Sequence, residues 1–271
     1  MIRKCFTVNP NRTKNEIDDF ERCLKNKIYS GCEFFYPYNK DEEHKKIYIE
    51  SLKKYLMYDC EFVCHLPYGK FNNLATNVNL DEVLQRFYDA IDFASNLPTV
   101  KLTLHPGELD GTLSKEDAVE LACKNIKKLC QYASKYNMII MLENLIGVHE
   151  LMKTPEEYFE MKKKIDEKNL KFIFDVAHYH TSHQDNNYIK DIELFVESVK
   201  EDLLHLHISD NDGYSDMHAK IRKGNIDFKK YFKKLKEIDY NGLYSSEILF
   251  NTSDDLIENA KAFDNVLKGE L

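Results

Sequence analysis

Met138-Ile139-Ile140-Met141-Leu142-Glu143-Asn144 and Lys171-Phe172-Ile173-Phe174-Asp175-Val176-Ala177-His178 frame the unit that decides the fold. Each is a short, continuous apolar run rich in branched or aromatic residues, the composition of a strand buried on both faces. Between them stands Thr154-Pro155-Glu156-Glu157, which carries three helix-start signals. A threonine caps, a proline takes the first helical position and a glutamate the third. The helical pattern behind it runs to residue 168. Strand, helix, strand in that order predicts two parallel strands joined by a right-handed crossover.

The same unit recurs in both directions. Strands are predicted near 2–8, 31–36, 61–66, 100–105, 138–143, 171–175, 203–209 and 243–249. Helices are predicted near 13–27, 42–58, 79–96, 114–136, 154–168, 187–201, 227–238 and 253–268. Ser114 repeats the cap signal of Thr154, and Asn79 and Ser253 are the expected caps of their helices. Eight alternations favour a closed (β/α)8 barrel over an open doubly wound sheet. No linker, low-complexity stretch or Gly-rich phosphate loop interrupts residues 1–271, so one α/β barrel domain is expected.

Of the 271 residues, 43% are hydrophobic and 31% charged, an ordinary soluble composition. No apolar run reaches the roughly 20 residues of a membrane span. The opening MIRKCFTVNPNR lacks the apolar core of a secretion signal, so a cytoplasmic, membrane-free protein is expected. Seven cysteines without a C-x-x-C pair read as reduced and mostly buried. A net charge of −8 argues against a general electrostatic grip on nucleic acid.

Catalytic groups of such a barrel sit where strands end and loops begin. Here the strand ends deliver metal-ligand types: His65, His105, Glu143-Asn144, Asp175 with His178, His207, and Glu247, with Asp216 and His218 in the loop after strand seven. A lone strand-end histidine or glutamate is more often a hydrogen-bonding residue. Six consecutive strand ends converging on one rim are costly unless divalent cations offset the carboxylate repulsion. Imidazole and carboxylate without thiolate suit Zn²⁺, Mn²⁺, Co²⁺ or Fe²⁺. His205 shares a strand face with His207, one layer deeper, and is expected in the core. His180 and His183 are expected at the surface, and Lys101 outside the barrel.

At these residues the chain resembles the xylose-isomerase-like TIM-barrel superfamily, over roughly residues 2–265. That group includes sugar and sugar-phosphate isomerases and epimerases, and also endonuclease IV-like enzymes (AP endonuclease family 2). The resemblance maps the core metal site onto Glu143, Asp175, His207 and Glu247. It maps the further ligands of a three-zinc site onto His65, His105, His178, Asp216 and His218. His207-Ile208-Ser209-Asp210-Asn211-Asp212-Gly213 and Gly224-Asn225-Ile226-Asp227-Phe228 also resemble this group, but Arg222 stands where its members usually carry glycine.

Two activities follow from the resemblance. One is an isomerase or epimerase of a small sugar or sugar phosphate, with one to three Zn or Mn ions. Glu143 and Glu247 are then paired acid and base, His178 orients a substrate oxygen, and Tyr68, Asn144 and Arg222 bind substrate. The ketose 3-epimerase pattern itself is broken by His149 and Gly213, which replace its second glutamate and its arginine. The alternative is a three-zinc phosphodiesterase acting on abasic DNA. It is weakened by Gly69 beside the wedge position Tyr68 and by the absence of arginine in Phe35-Tyr36-Pro37-Tyr38-Asn39-Lys40. Lys220, Arg222 and Lys223 are the one basic cluster near the mouth.

Overall fold

The computed structural model describes residues 2–183 and 188–269. Eight strands pair in chain order, all parallel, and β1 closes on β8. They are β1 (Arg3–Val8), β2 (Gly31–Phe35), β3 (Glu61–His65), β4 (Thr99–Leu104), β5 (Ile139–Glu143), β6 (Leu170–Asp175), β7 (Leu203–Ile208) and β8 (Leu243–Ser246). The helices are α1 (Lys14–Lys25), α2 (Glu42–Lys53), α3 (Leu80–Ala94), α4 (Lys115–Ser134), α5 (Pro155–Ile165), α6 (Val176–Ser182), α7 (Tyr188–Val199), α8 (Phe228–Glu237) and α9 (Ser253–Lys268). This is the expected (β/α)8 TIM barrel. Among the described residues, no helix is long and apolar enough to cross a membrane.

Two apolar layers hold it. The larger lies between barrel and helices, where outward strand residues such as Phe6, Phe34, Leu102 and Phe172 meet the helix faces. The smaller fills the barrel axis with Cys5, Val63, Met141, Ile173 and Leu243. Because side chains alternate along a strand, the residues two positions beyond that plug also point inward. Polar side chains therefore crowd the C-terminal mouth. All seven cysteines are free and buried.

Ser114 and Thr154 cap α4 and α5 as expected, accepting from the amides of Asp117 and Glu157. Two other caps differ. Asn79 is left-handed, φ 51°, and makes no side-chain cap bond. Thr252, not Ser253, caps α9, because Thr252 is extended and exchanges hydrogen bonds with Asp255. The helix expected over 42–58 ends at Lys53 and tightens into a 3₁₀ turn that stops at left-handed Asp59. The helix expected over 187–201 is described from Tyr188 to Val199; position 187 lies outside the described residues.

Lys101 is not outside the barrel. It shares a strand face with Thr103, whose hydroxyl donates to buried Glu33, and its ammonium pairs with Glu61 at 2.7 Å on the N-terminal side of the plug. The register shift between Phe62 and Val63 in the β3–β4 pairing sets this lysine opposite Val63 of the axial plug.

Candidate metal centre

Four of the ligand-type side chains stand on strands at the mouth: His65, Glu143, Asp175 and His207, from β3, β5, β6 and β7. His105 and Glu247 come one residue past their strands. Glu247 leaves the strand because its amide turns back to the Ser245 carbonyl. Asp175 ends β6 and at once caps α6, its Oδ1 accepting from the His178 amide at 2.7 Å. That cap fixes His178 in the first turn and leaves Asp175 Oδ2 facing the mouth.

His207 Nδ1 lies 2.9 Å from Glu247 Oε2, 3.1 Å from Glu143 Oε1 and 3.6 Å from Asp175 Oδ2. A single ring nitrogen cannot donate to three oxygens. Glu143 Oε2, Asp175 Oδ2 and Glu247 Oε2 are buried and lack a hydrogen-bond partner. Orphaned carboxylate oxygens at this depth cost free energy unless a cation meets them. Ligand atoms of Glu143, Asp175, His207 and Glu247 all lie within 4.8 Å of one another. The donor set fits a divalent cation of the zinc or manganese type.

A second group adjoins it. His105 Nε2 and His65 Nε2 lie 3.3 and 3.7 Å from Glu143 Oε2. On the other side, Asp216 Oδ2 lies 3.5 Å from His178 Nε2 and 2.9 Å from His218 Nε2. The ring orientations are set from behind by backbone carbonyls: Leu66 for His65, Asn144 for His178 and Glu247 for His218. All nine expected ligand residues thus share one mouth.

The electrostatics follow from the packing. Burial opposes charge on His178 and His207, but the carboxylates around them outweigh it and hold both rings well above the usual histidine range. For His218 the balance, led on the favourable side by Asp216, lifts the pKa to about 9. Burial also opposes charge on Glu143, and His207 and His105 hold it well below the usual carboxylate range. Asp175 goes the other way, pushed up by burial and by neighbouring Glu247 and Glu143.

Above the ligands opens a cavity of about 460 Å³. Its outer wall holds Asn9, Asn11, Arg12, Phe35, Tyr68 and Phe250. Of the three residues expected to bind substrate, Tyr68 lines the cavity and the other two do not. Asn144 is buried, and its amide is committed to both backbone groups of Asp175 at 2.9 Å. Arg222 is exposed and does not line the cavity; its backbone is left-handed, φ 73°, and its amide donates to Asp210 Oδ2. His180 bonds Asn225, and His183 stacks on Tyr179.

Two features escape the sequence reading. Arg12 and its neighbours follow the end of β1, where no histidine or carboxylate stands; the polar run Asn9-Pro10-Asn11-Arg12 is their signal. Glu33, wholly buried in the barrel, underlies His207. Its signal is a lone charge inside the strand Gly31-Cys32-Glu33-Phe34-Phe35. Burial opposes that charge, and His207 and His205 outweigh it and hold Glu33 well below the usual carboxylate range.

Known proteins resemble this chain in sequence or in fold. The uncharacterised protein MJ1311 of Methanocaldococcus jannaschii is 31% identical over 203 residues, 72% of this chain and 68% of that protein. The crystal structure of a D-tagatose 3-epimerase-like protein superposes with a TM-score of 0.76 at 26% identity, covering 98% of this chain and 97% of that one. An AP endonuclease, family 2, from Brucella melitensis gives 0.72 at 17% identity over 96% and 99% of the two chains, a likeness of fold alone. Residues 20–265, a span that takes in β2 to β8, match the family of xylose isomerase-like TIM barrels, and the chain belongs to that family.

Proposed function

We propose that the protein is a divalent-metal-dependent isomerase or epimerase of a small sugar or sugar phosphate, working by proton transfer beside a substrate carbonyl. The observation that carries this reading is the group Glu143, Asp175, His207 and Glu247 with its three unpartnered carboxylate oxygens, set beneath a cavity of about 460 Å³. That volume falls in the range of small-molecule sites. The 26% likeness to the D-tagatose 3-epimerase-like protein supports the same class.

A bound cation supplies Lewis acidity toward substrate oxygens, which makes the neighbouring C–H more acidic. The chain's own residues supply the rest. Glu143 and Glu247 reach the site from well-separated strands, so one carboxylate takes the proton and the other returns it. His178, held by the Asn144 carbonyl, presents Nε2 toward Asp216 and the cavity and orients a substrate oxygen. Tyr68 and Phe35 give the wall an apolar face, while Asn9 and Asn11 offer hydrogen bonds to hydroxyls.

Abasic-site phosphodiesterase activity is the second reading, favoured by the convergence of all nine ligand residues. Two pairings oppose it. Lys220, from the basic cluster near the mouth, is held by Asp255 and Glu258 at 2.7 and 2.6 Å. Arg12, in the cavity wall, is held by Glu16 at 2.8 Å.

The test is deuterium exchange. Manganese- or zinc-loaded protein is incubated with a panel of ketoses in D₂O, and label is sought at the carbon beside the carbonyl. Incorporation is expected, and Glu143→Gln should lower it at least about 10²-fold with circular dichroism unchanged. Metal-dependent nicking of an abasic duplex by the same protein, without exchange into any sugar, would replace this reading by the second.

A further inference from the structure

Glu33 lies one layer below the proposed metal ligands and touches the site through a single one of them. Its two oxygens are 3.1 and 3.0 Å from His207 Nε2. The same carboxylate meets His205 Nε2 at 2.9 Å and accepts from the Thr103 hydroxyl at 2.7 Å. An ionised carboxylate only accepts hydrogen bonds, so both imidazoles must present N–H at Nε2. In the neutral ring that a bound cation requires, the His207 lone pair is then at Nδ1, the nitrogen that faces Glu143, Asp175 and Glu247.

We propose that Glu33 is the positioning residue of the centre: it fixes the His207 tautomer and ring plane so that Nδ1 is the ligand nitrogen. The inference rests on the metal reading above. His205 and Thr103 hold Glu33 in place in turn. The three residues Glu33, His205 and His207 are close enough to hold an ion of their own. The atoms they turn toward one another are already matched as donors and acceptor, and the Glu33 oxygens are not among the unpartnered buried atoms, whereas one oxygen each of Glu143, Asp175 and Glu247 is. A carboxylate behind a ligating histidine commonly raises metal affinity 10- to 100-fold.

Zinc alone is the probe. Apo protein is titrated with Zn²⁺ against a chromophoric chelator, wild type beside Glu33→Gln. The expected result is affinity about 10- to 100-fold weaker in the variant at unchanged stoichiometry. Nitrogen NMR of zinc-loaded, ¹⁵N-histidine-labelled wild type reads the tautomer directly and needs no variant. His207 should carry zinc at Nδ1 and a slowly exchanging proton at Nε2. Coordination through Nε2, or equal affinity in Glu33→Gln, overturns the role of Glu33 and leaves the metal reading standing. Loss of one zinc equivalent with the remainder unchanged makes Glu33 a ligand and also overturns it. Wild type that binds no zinc overturns the metal reading, and this inference with it.

Discussion

Asp175 does two jobs with two oxygens. Oδ1 caps α6 through the His178 amide, and Oδ2 is buried without a hydrogen-bond partner beside Glu143 and Glu247. Asn can cap a helix as well as Asp, so Asp175→Asn separates the jobs. The cap survives, while a charge crowded by two other carboxylates is removed. Apo Asp175→Asn should therefore unfold no lower than apo wild type, since like-charge repulsion falls. Manganese or zinc at 100 times the wild-type Kd should stabilise wild type by about 2.7 kcal/mol and the variant by far less. Thermal unfolding of both proteins, with and without the ion, reads both effects. A marked drop in the apo variant would show that the Asp175 charge is a net stabiliser without metal.

The loop after β7 shows how an element is fixed by backbone demands. Asp210 accepts from the amides of Arg222, Asn211 and Ile226, at 2.8, 3.0 and 3.2 Å. A Cβ at Gly224 would meet the Asn211 carbonyl oxygen at 2.1 Å and Asp210 Oδ1 at 2.4 Å. Gly224→Ala should therefore cost about 1–3 kcal/mol as backbone shifts to make room, read from urea midpoints. Arg222 keeps a left-handed conformation that glycine adopts without strain, which is the physical content of its departure from the sequences it resembles. At the other end of the barrel, Asp202 accepts from Tyr158 at 3.1 Å and pairs with Lys171 at 2.8 Å and with Lys162. Burial opposes charge there, and the two lysines outweigh it and lower the pKa. A depressed folded-state pKa stabilises above the unfolded value near 3.9, and the gain is lost as pH falls through the folded pKa. Asp202→Asn should accordingly lose about 1–3 kcal/mol at pH 7 and less at pH 3, again by urea midpoint. The elements legible in the sequence are those with a periodic signature, β5, α5 and β6 above all. Seven-residue α6 has no room for a periodic apolar face, and its start is hidden because its cap, Asp175, also reads as a ligand. Glu33 is hidden for the opposite reason: its partners His205 and His207 lie more than 170 residues away, and only barrel closure brings β2 opposite β7.

At the scale of the whole molecule, charge decides between the two chemistries. The chain carries a net −8, and its mouth collects Glu143, Asp175, Asp216 and Glu247. One divalent ion offsets two of those four charges and protonated His178 and His218 meet the rest, so the mouth has no positive excess for phosphate, whereas three ions would supply one. Beside them, Arg12 is tied to Glu16 and Lys220 to two carboxylates of α9. A DNA-binding mouth needs cations free to displace counterions from phosphate, and each one used adds to the salt dependence of binding. The prediction belongs to the metal-loaded protein in 50 mM salt, titrated with a fluorescent 20-base-pair duplex and read by anisotropy. Binding should be weaker than about 10⁻⁵ M, poorer than ordinary non-specific association after the gain expected at low salt. Turnover of a neutral ketose by the same protein should show a KM that barely moves between 50 and 500 mM salt, since a neutral substrate displaces no counterions. Duplex affinity below about 10⁻⁶ M that falls steeply with salt would mean a basic track elsewhere on the surface overrides the acidic mouth, and the phosphodiesterase reading would take precedence.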